Sequence, residues 1–162
     1  MITFATLCYV HRRGRVLLLR KARGLFGEGK WNAPGGKIEP NELPEKAAKR
    51  EAREETGLRI SNVNFRGILN FYLGDSRDLD QTVFVFSSNK FTGKLRGGRE
   101  GELKWYPVDK MPYDEMWEDD RIWLPLLLEG KSFVGDFHFT ENYGKLLSHN
   151  VYQRVDRETR KH

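Results

Sequence analysis

The segment from Ala22 to Leu58 leaves its backbone little choice. Its first sixteen residues, ARGLFGEGKWNAPGGK, hold five glycines and one proline, a composition that interrupts any helix or strand and dictates a loop. From Pro44 to Thr56 helix-forming residues run without a break. Pro44 suits the first helical position, and Gly57 suits the left-handed residue just past the end. At about 100° per residue, Glu51, Glu54 and Glu55 stand at i, i+3 and i+4 and share one face. Ala47, Ala48 and Ala52 flank that side, while Lys46, Lys49, Arg50 and Arg53 cover the opposite one.

Ala48 and Ala52 are small enough to let the helix lie close to a sheet, which presses the three acids towards protein. Two carboxylates about 6 Å apart, at an effective dielectric near 20, repel by roughly 3 kcal/mol. The C-terminal half of a helix makes this worse, because the macrodipole disfavours negative charge there. Two readings are open. One is a solvated face with pairs such as Glu45 to Lys49 and Arg50 to Glu54. The other is a rigid set of hard oxygen ligands for Mg²⁺ or Mn²⁺, completed by a substrate phosphate and waters.

The residues around the acids separate these readings. Gly36, Glu42, Arg50, Glu51, Ala52, Glu54, Glu55, Gly57 and Leu58 fit the spacing G-x5-E-x7-R-E-A-x-E-E-x-G-L over 23 contiguous residues. This pattern resembles the Nudix box, the signature of hydrolases that cleave nucleoside diphosphates linked to another group. The resemblance implies an α/β fold, an α/β/α sandwich with a central mixed sheet. It also implies Glu51, Glu54 and Glu55 as catalytic metal ligands for Mg²⁺ or Mn²⁺, with a backbone carbonyl near Gly35 or Gly36. Glu42 and Arg50 would form an ion pair tying loop to helix. A further acid often joins from outside the box; Glu100 is favoured over Glu102 in GGREGELKW, and either could be a solvated loop charge. Lys21, Arg23 and Lys37 are candidates to meet a triphosphate, although basic side chains beside a loop are commonly just exposed.

Other segments narrow the resemblance. GLFGEGKWNAPGGK and MPYDEMWEDDRIWLPLLLEGKSF look like the corresponding parts of the oxidised purine nucleoside triphosphatases, which convert 8-oxo-dGTP and related nucleotides to the monophosphate and pyrophosphate. In this reading Trp117 offers a stacking surface, Asn32 both donates and accepts, and Asp119 with Asp120 bonds to the base edge. If one aspartate is protonated, the pair presents a donor and an acceptor together. By matched position Phe26 and Phe71 complete the apolar walls, and Trp123 helps shape the pocket. The bland alternative has Asp119 and Asp120 starting a helix and Trp117 in the core. Ala33-Pro34 depart from the resemblance, standing where a glycine and an aromatic residue are expected.

The remaining chain reads as strands with one more helix. ITFATLCYVHRRGRVLLLRK suggests a hairpin turning at Arg13-Gly14, and strands are expected in ISNVNFRGILNFYL, QTVFVFSSNKF, ELKWYPV, KSFVGDFHFTE and KLLSHNVYQRVD. A second helix covers DDRIWLPLLLEG, with Pro125 either confining its regular part to the residues after 124 or kinking it. A chain of 162 residues suits one domain, 1–162, with a tail after about residue 155. The lone Cys8 excludes an internal disulfide and, with no secretory leader or membrane-length apolar run, points to the cytoplasm.

The net charge of +5 favours anionic partners. The expected partner is a nucleoside triphosphate, with no membrane, no direct nucleic-acid binding, and a monomer slightly favoured. Competing readings are a Nudix enzyme for ordinary nucleotides, a dinucleotide polyphosphate or a capped RNA end, and a non-catalytic nucleic-acid-binding module of the same fold.

Overall fold

Period-two alternation along the strands decides the layering. The computed structural model describes residues 1–75, 78–97 and 101–154. Strand β1 (Thr3–Arg12) and β2 (Arg15–Lys21) form the expected hairpin, with Arg12 opposite Arg15. Arg13 and Gly14 both hold positive φ, 52° and 74°, which matches the right-handed twist of the flanking strands. The short β3 (Trp31–Asn32) and β4 (Gly35–Lys37) lie within the glycine-rich loop. Helix α1 (Pro44–Thr56) has the expected limits, and Gly57 at φ 83° donates its N–H to the Arg53 carbonyl.

Strands β5 (Arg59–Leu73), β6 (Asp78–Thr92), β7 (Gly101–Pro107), β8 (Phe133–Phe139) and β9 (Leu146–Gln153) complete one mixed sheet. Its order is β3-β2-β1-β6-β5-β8-β9, with β4 added to β1 and β7 to β2. The pairs β1–β6 and β5–β8 are parallel and the others antiparallel. Helix α2 (Asp120–Leu128) precedes β8.

Adjacent strand residues feed opposite cores. Tyr9, Val16, Leu18, Val83 and Val85 join the cluster that receives Trp123, Leu124 and Leu127 of α2. Cys8, Val10, Leu17 and Phe86 face Ala48 and Ala52 of α1 instead. One helix therefore covers each face, giving the α/β/α sandwich. Each fully buried Leu or Phe stabilises this arrangement by about 1.5–3 kcal/mol. Substituting a bulky residue for Ala52, which is completely buried, would lift α1 off the sheet and move the acids with it.

Helix α2 is not confined to the residues after 124, one of the two outcomes expected from Pro125. The helix starts at Asp120 and runs through the proline. The N–H that Pro125 lacks would have bonded the carbonyl of Arg121, an exposed residue whose carbonyl water can serve, so a nine-residue helix absorbs the loss. Among the described residues no helix is long and apolar enough to cross a membrane.

Candidate active site

Glu55 and Glu51 lock α1 to the loop, and the three acids are each held differently. Glu55 is the most buried, at 4% exposure, and its Oε1 accepts the Gly35 N–H at 2.8 Å while Lys21 Nζ lies 3.7 Å from Oε2. Glu51 packs its carboxylate against Gly36 and accepts from Arg50 at 3.0 Å. Glu54 is the most open and lies 3.3 Å from the same guanidinium.

Arg50 thus does not stay on the cationic side of the helix, as its position in the sequence suggested. Its long side chain reaches across to Glu51 and Glu54, donates to both oxygens of Glu42 at 2.8 and 2.9 Å, and bonds the Lys37 carbonyl at 3.1 Å. The hydrogen bonds from Arg50 hold the Glu42 carboxyl well below its ordinary 4.5, at about 2. The anticipated tie between loop and helix is therefore present.

Two glycines make this proximity possible. A Cβ on Gly35 would stand 2.0 Å from the Thr6 carbonyl oxygen, and one on Gly36 would stand 2.4 Å from Glu51 Oε2. Gly35 needs a residue without a side chain because the backbone of β1 presses on it, whereas a side chain at position 36 would have to displace the end of Glu51. Among the described residues no three Asp, Glu, His or Cys side chains form a ready-made metal cage. The donor chemistry nevertheless suits a hard divalent cation, since carboxylate and carbonyl oxygens supply part of the shell and phosphate or water the rest. Glu102 is not brought to this cluster. It pairs across β7 and β2 with Arg20, 4.0 Å away, whereas Lys21, the next residue on β2, reaches Glu55. Glu100 lies outside the described residues, as does the tail from residue 155.

A cavity of about 210 Å³ adjoins the acids. Lys21, Gly35 and Gly36 line one part of it, and Asn32, Asp119 and Asp120 line another, so a single ligand can reach both. Phe26, Phe71 and Trp117 contribute apolar wall, with Phe26 stacked on Trp117 at 5.2 Å and 28°. Lys30 Nζ sits 5.1 Å from the centre of the Trp117 ring. The Asn32 carbonyl oxygen accepts from the Ala33 N–H at 2.8 Å and the Tyr9 hydroxyl at 3.4 Å, which leaves the amide nitrogen as the group to offer a ligand.

Asp119 and Asp120 are both buried, at 3% and 2% exposure, and neither caps α2 through its side chain. Burial raises Asp119 from 3.8 to about 6, against the opposing hydrogen bond from Trp123 Nε1 at 2.8 Å. Burial, and then the Asp119 charge, push Asp120 well above its usual range. Its Oδ2 is buried without a hydrogen-bond partner, so it is available to a ligand in the cavity. When Asp119 is ionised, Asp120 holds the proton, and the pair offers one acceptor beside one donor.

Some expected residues take other places. Trp123 does not line the cavity; completely buried beneath it, the indole fixes Asp119 by its N–H. Arg23 and Lys37 are exposed and outside the lining, whereas Lys21 is part of it. Thr6, Gln81 and Tyr143 line the cavity without having been anticipated. Thr6 lies in an apolar strand run where its orientation could be read only once the register was known. Nothing local marks Tyr143, which comes from the far end of the chain.

The family described as NUDIX domain matches residues 1–127. The chain is 38% identical to the oxidized purine nucleoside triphosphate hydrolase of Danio rerio over 93% of its length and 95% of that protein. It is also 38% identical to the protein of the same name from Mus musculus, over 90% and 92%. Among solved structures, a mutator MutT protein from Bacillus halodurans superposes with a TM-score of 0.83 at 31% identity, covering 92% of this chain and 97% of that one.

Proposed function

The chain belongs to the Nudix hydrolase family, and on that premise we propose that it hydrolyses oxidised purine nucleoside triphosphates, such as 8-oxo-dGTP or 2-hydroxy-dATP, to the monophosphate and pyrophosphate. Its role is then to clear damaged nucleotides from the pool, in the cytoplasm, acting on free nucleotides rather than nucleic acid. The observation that carries this reading is a continuous cavity whose lining joins the buried Asp119–Asp120 pair to Lys21, Gly35 and Gly36 beside the acidic helix.

Members of this family generally use divalent metal ions. We assign Mg²⁺, with Mn²⁺ as a substitute, to Glu51, Glu54, Glu55 and a backbone carbonyl of Gly35 or Gly36. Bound there, the metal supplies charge neutralisation at phosphate oxygens and a water of lowered pKa. Lys21, anchored beside Glu55, adds a positive charge where the phosphate chain enters. Arg50 and Glu42 hold the loop in register with α1, which keeps the ligand oxygens positioned before the nucleotide arrives.

At the other end Asp120 donates to the base and Asp119 accepts, while Asn32 contributes an amide donor. Oxidation of a purine exchanges an acceptor for a donor, or adds a carbonyl, at the ring edge. A carboxyl pair that carries one movable proton accommodates such changes where a fixed donor would not. Phe26, Phe71 and Trp117 remove the base from water, which strengthens these bonds.

A panel of nucleotides assayed with Mg²⁺, with product identification, tests the proposal. Oxidised purine triphosphates should give the highest kcat/KM and release pyrophosphate. Turnover of 8-oxo-dGTP and 2-hydroxy-dATP no faster than that of dGTP and dATP would refute the sanitising role.

A further inference from the structure

The base-pocket reading leaves Tyr143 without a task. The residue closes a short 3-10 turn, Glu141–Tyr143, between β8 and β9. Its ring meets Phe26, Phe71 and Trp117 edge-on, with centroids 5.8, 6.0 and 5.9 Å away and planes at 71°, 66° and 70°. It thus braces every aromatic side chain assigned to the pocket wall.

Three backbone features converge on this one side chain. Asn142 and Tyr143 both hold φ of 58°, a left-handed conformation that residues bearing a Cβ keep only when their surroundings impose it. On β6 the ladder is irregular. Phe71 pairs with Gln81 but Tyr72 pairs with Leu79, so Asp80 is an extra, bulged residue. In a regular strand Asp80 and Gln81 would point to opposite faces. Here both reach the Tyr143 hydroxyl, which donates to Asp80 Oδ2 at 2.6 Å and accepts from Gln81 Nε2 at 3.0 Å.

The turn is also fastened to the aspartate pair. Glu118, the residue before Asp119, accepts the Leu146 N–H at 2.7 Å, and Thr140 and Lys145 close the turn through bonds of 2.8 and 2.9 Å. Burial, and next the bond to Asp80, raise the Tyr143 hydroxyl above its ordinary 10.0, which keeps it the donor to Asp80.

We propose that Tyr143, clamped by the bulged Asp80 and by Gln81, is a specificity-determining residue that fixes the width of the base pocket and so selects a two-ring base over a one-ring base. The proposal rests on the reading of this cavity as the purine site. A rigid wall at fixed distance favours the base that spans the pocket. Releasing the wall costs a purine its edge contacts and costs a pyrimidine little.

Steady-state kinetics of Tyr143→Ala, Tyr143→Phe and Asp80→Ala with 8-oxo-dGTP, dGTP and dCTP test this, alongside thermal melts of each variant. Tyr143→Ala should raise KM for 8-oxo-dGTP roughly tenfold, as expected for losing edge-to-face contacts, with kcat within about twofold. Tyr143→Phe and Asp80→Ala keep the ring but release it, and each should raise the same KM about threefold. In all three the kcat/KM for dCTP should hold steady, so the purine-to-pyrimidine ratio falls. An unchanged ratio overturns the proposal, whether KM stays at the wild-type value or all three substrates suffer equally with a lowered Tm. If wild-type protein prefers oxidised purines while the variants match it, Tyr143 alone has been misassigned. If the wild type shows no purine preference, the base-site reading falls and takes this one with it.

Discussion

Replacing Asp119 with asparagine removes a titrating group while keeping an oxygen that can accept the Trp123 indole N–H. Burial moves the Asp119 carboxyl from 3.8 to about 6. Below pH 3.8 both the folded and unfolded chains hold this proton, and ionisation makes no difference to stability. Between 3.8 and about 6 the unfolded chain has released a proton that the folded chain still binds, so stability falls as pH rises. Above about 6 both are ionised and the loss levels off. The step from 3.8 to about 6, a difference of about 2.2 at 1.36 kcal/mol each, corresponds to ~3 kcal/mol. Because Asp119 is only 3% exposed, solvent screening removes little of that.

Urea unfolding of wild type and Asp119→Asn, from about pH 4 to about pH 7.5, measures the effect. The variant should gain on the wild type steadily across the interval and then keep a constant lead. The Asp119 charge is also the second cause of the raised Asp120 pKa; without it the folded variant gives up the Asp120 proton more readily, which adds to the lead. A lead on the order of the ~3 kcal/mol above is therefore expected. Parallel stability curves for the two proteins would show that Asp119 titrates normally, and the proton-sharing account of base recognition would fail with it.

Glu54→Gln should lower kcat about a hundredfold, equivalent to ~2.7 kcal/mol of barrier, with Tm nearly unchanged because the side chain is 55% exposed and its pairing with Arg50 contributes little. Near-normal turnover at saturating Mg²⁺ would remove Glu54 from the catalytic shell. Gly36→Ala places a methyl group where Glu51 Oε2 now lies, and because the end of a flexible side chain can move aside, the fold should survive. The Mg²⁺ concentration for half-maximal activity should then rise severalfold, roughly 1 kcal/mol of lost metal binding, and an unchanged requirement would separate Glu51 from the metal. Trp117→Ala should weaken nucleotide binding measured by calorimetry, and an unaltered Kd would make that ring a packing residue.

The elements most legible in the sequence were those fixed by local chemistry. Pro44 and Gly57 mark the ends of α1, and Arg13-Gly14 marks the hairpin, because their backbone angles are set within a residue or two. Branched, apolar and aromatic runs revealed β1 and β6 as strands, although which face met which helix depended on long-range packing. The acids at 51, 54 and 55 were visible by spacing alone. Their unequal burial was not, since it arises from the approach of Gly35 and Lys21, sixteen or more residues away in the chain. Trp123 was expected by matched position to help shape the pocket, but its indole N–H bond to Asp119 was not legible before the fold was known. Tyr143 was invisible because the bulge at Asp80 that engages it shows only in the pairing of β5 with β6.

The like charges on α1 also pose a folding problem that the sequence alone made look severe. Neighbouring carboxylates in the C-terminal half of a helix oppose both each other and the macrodipole. Among the described residues this is offset by a backbone N–H and Lys21 for Glu55, and by one guanidinium shared by Glu51 and Glu54. Arg50 can serve two acids because its planar fork has five donors, and lysine at the same position would present a single point charge. Glu42, drawn into the same network, ties the loop to the helix through bonds that do not depend on a metal. The repulsion is therefore largely compensated within the chain itself.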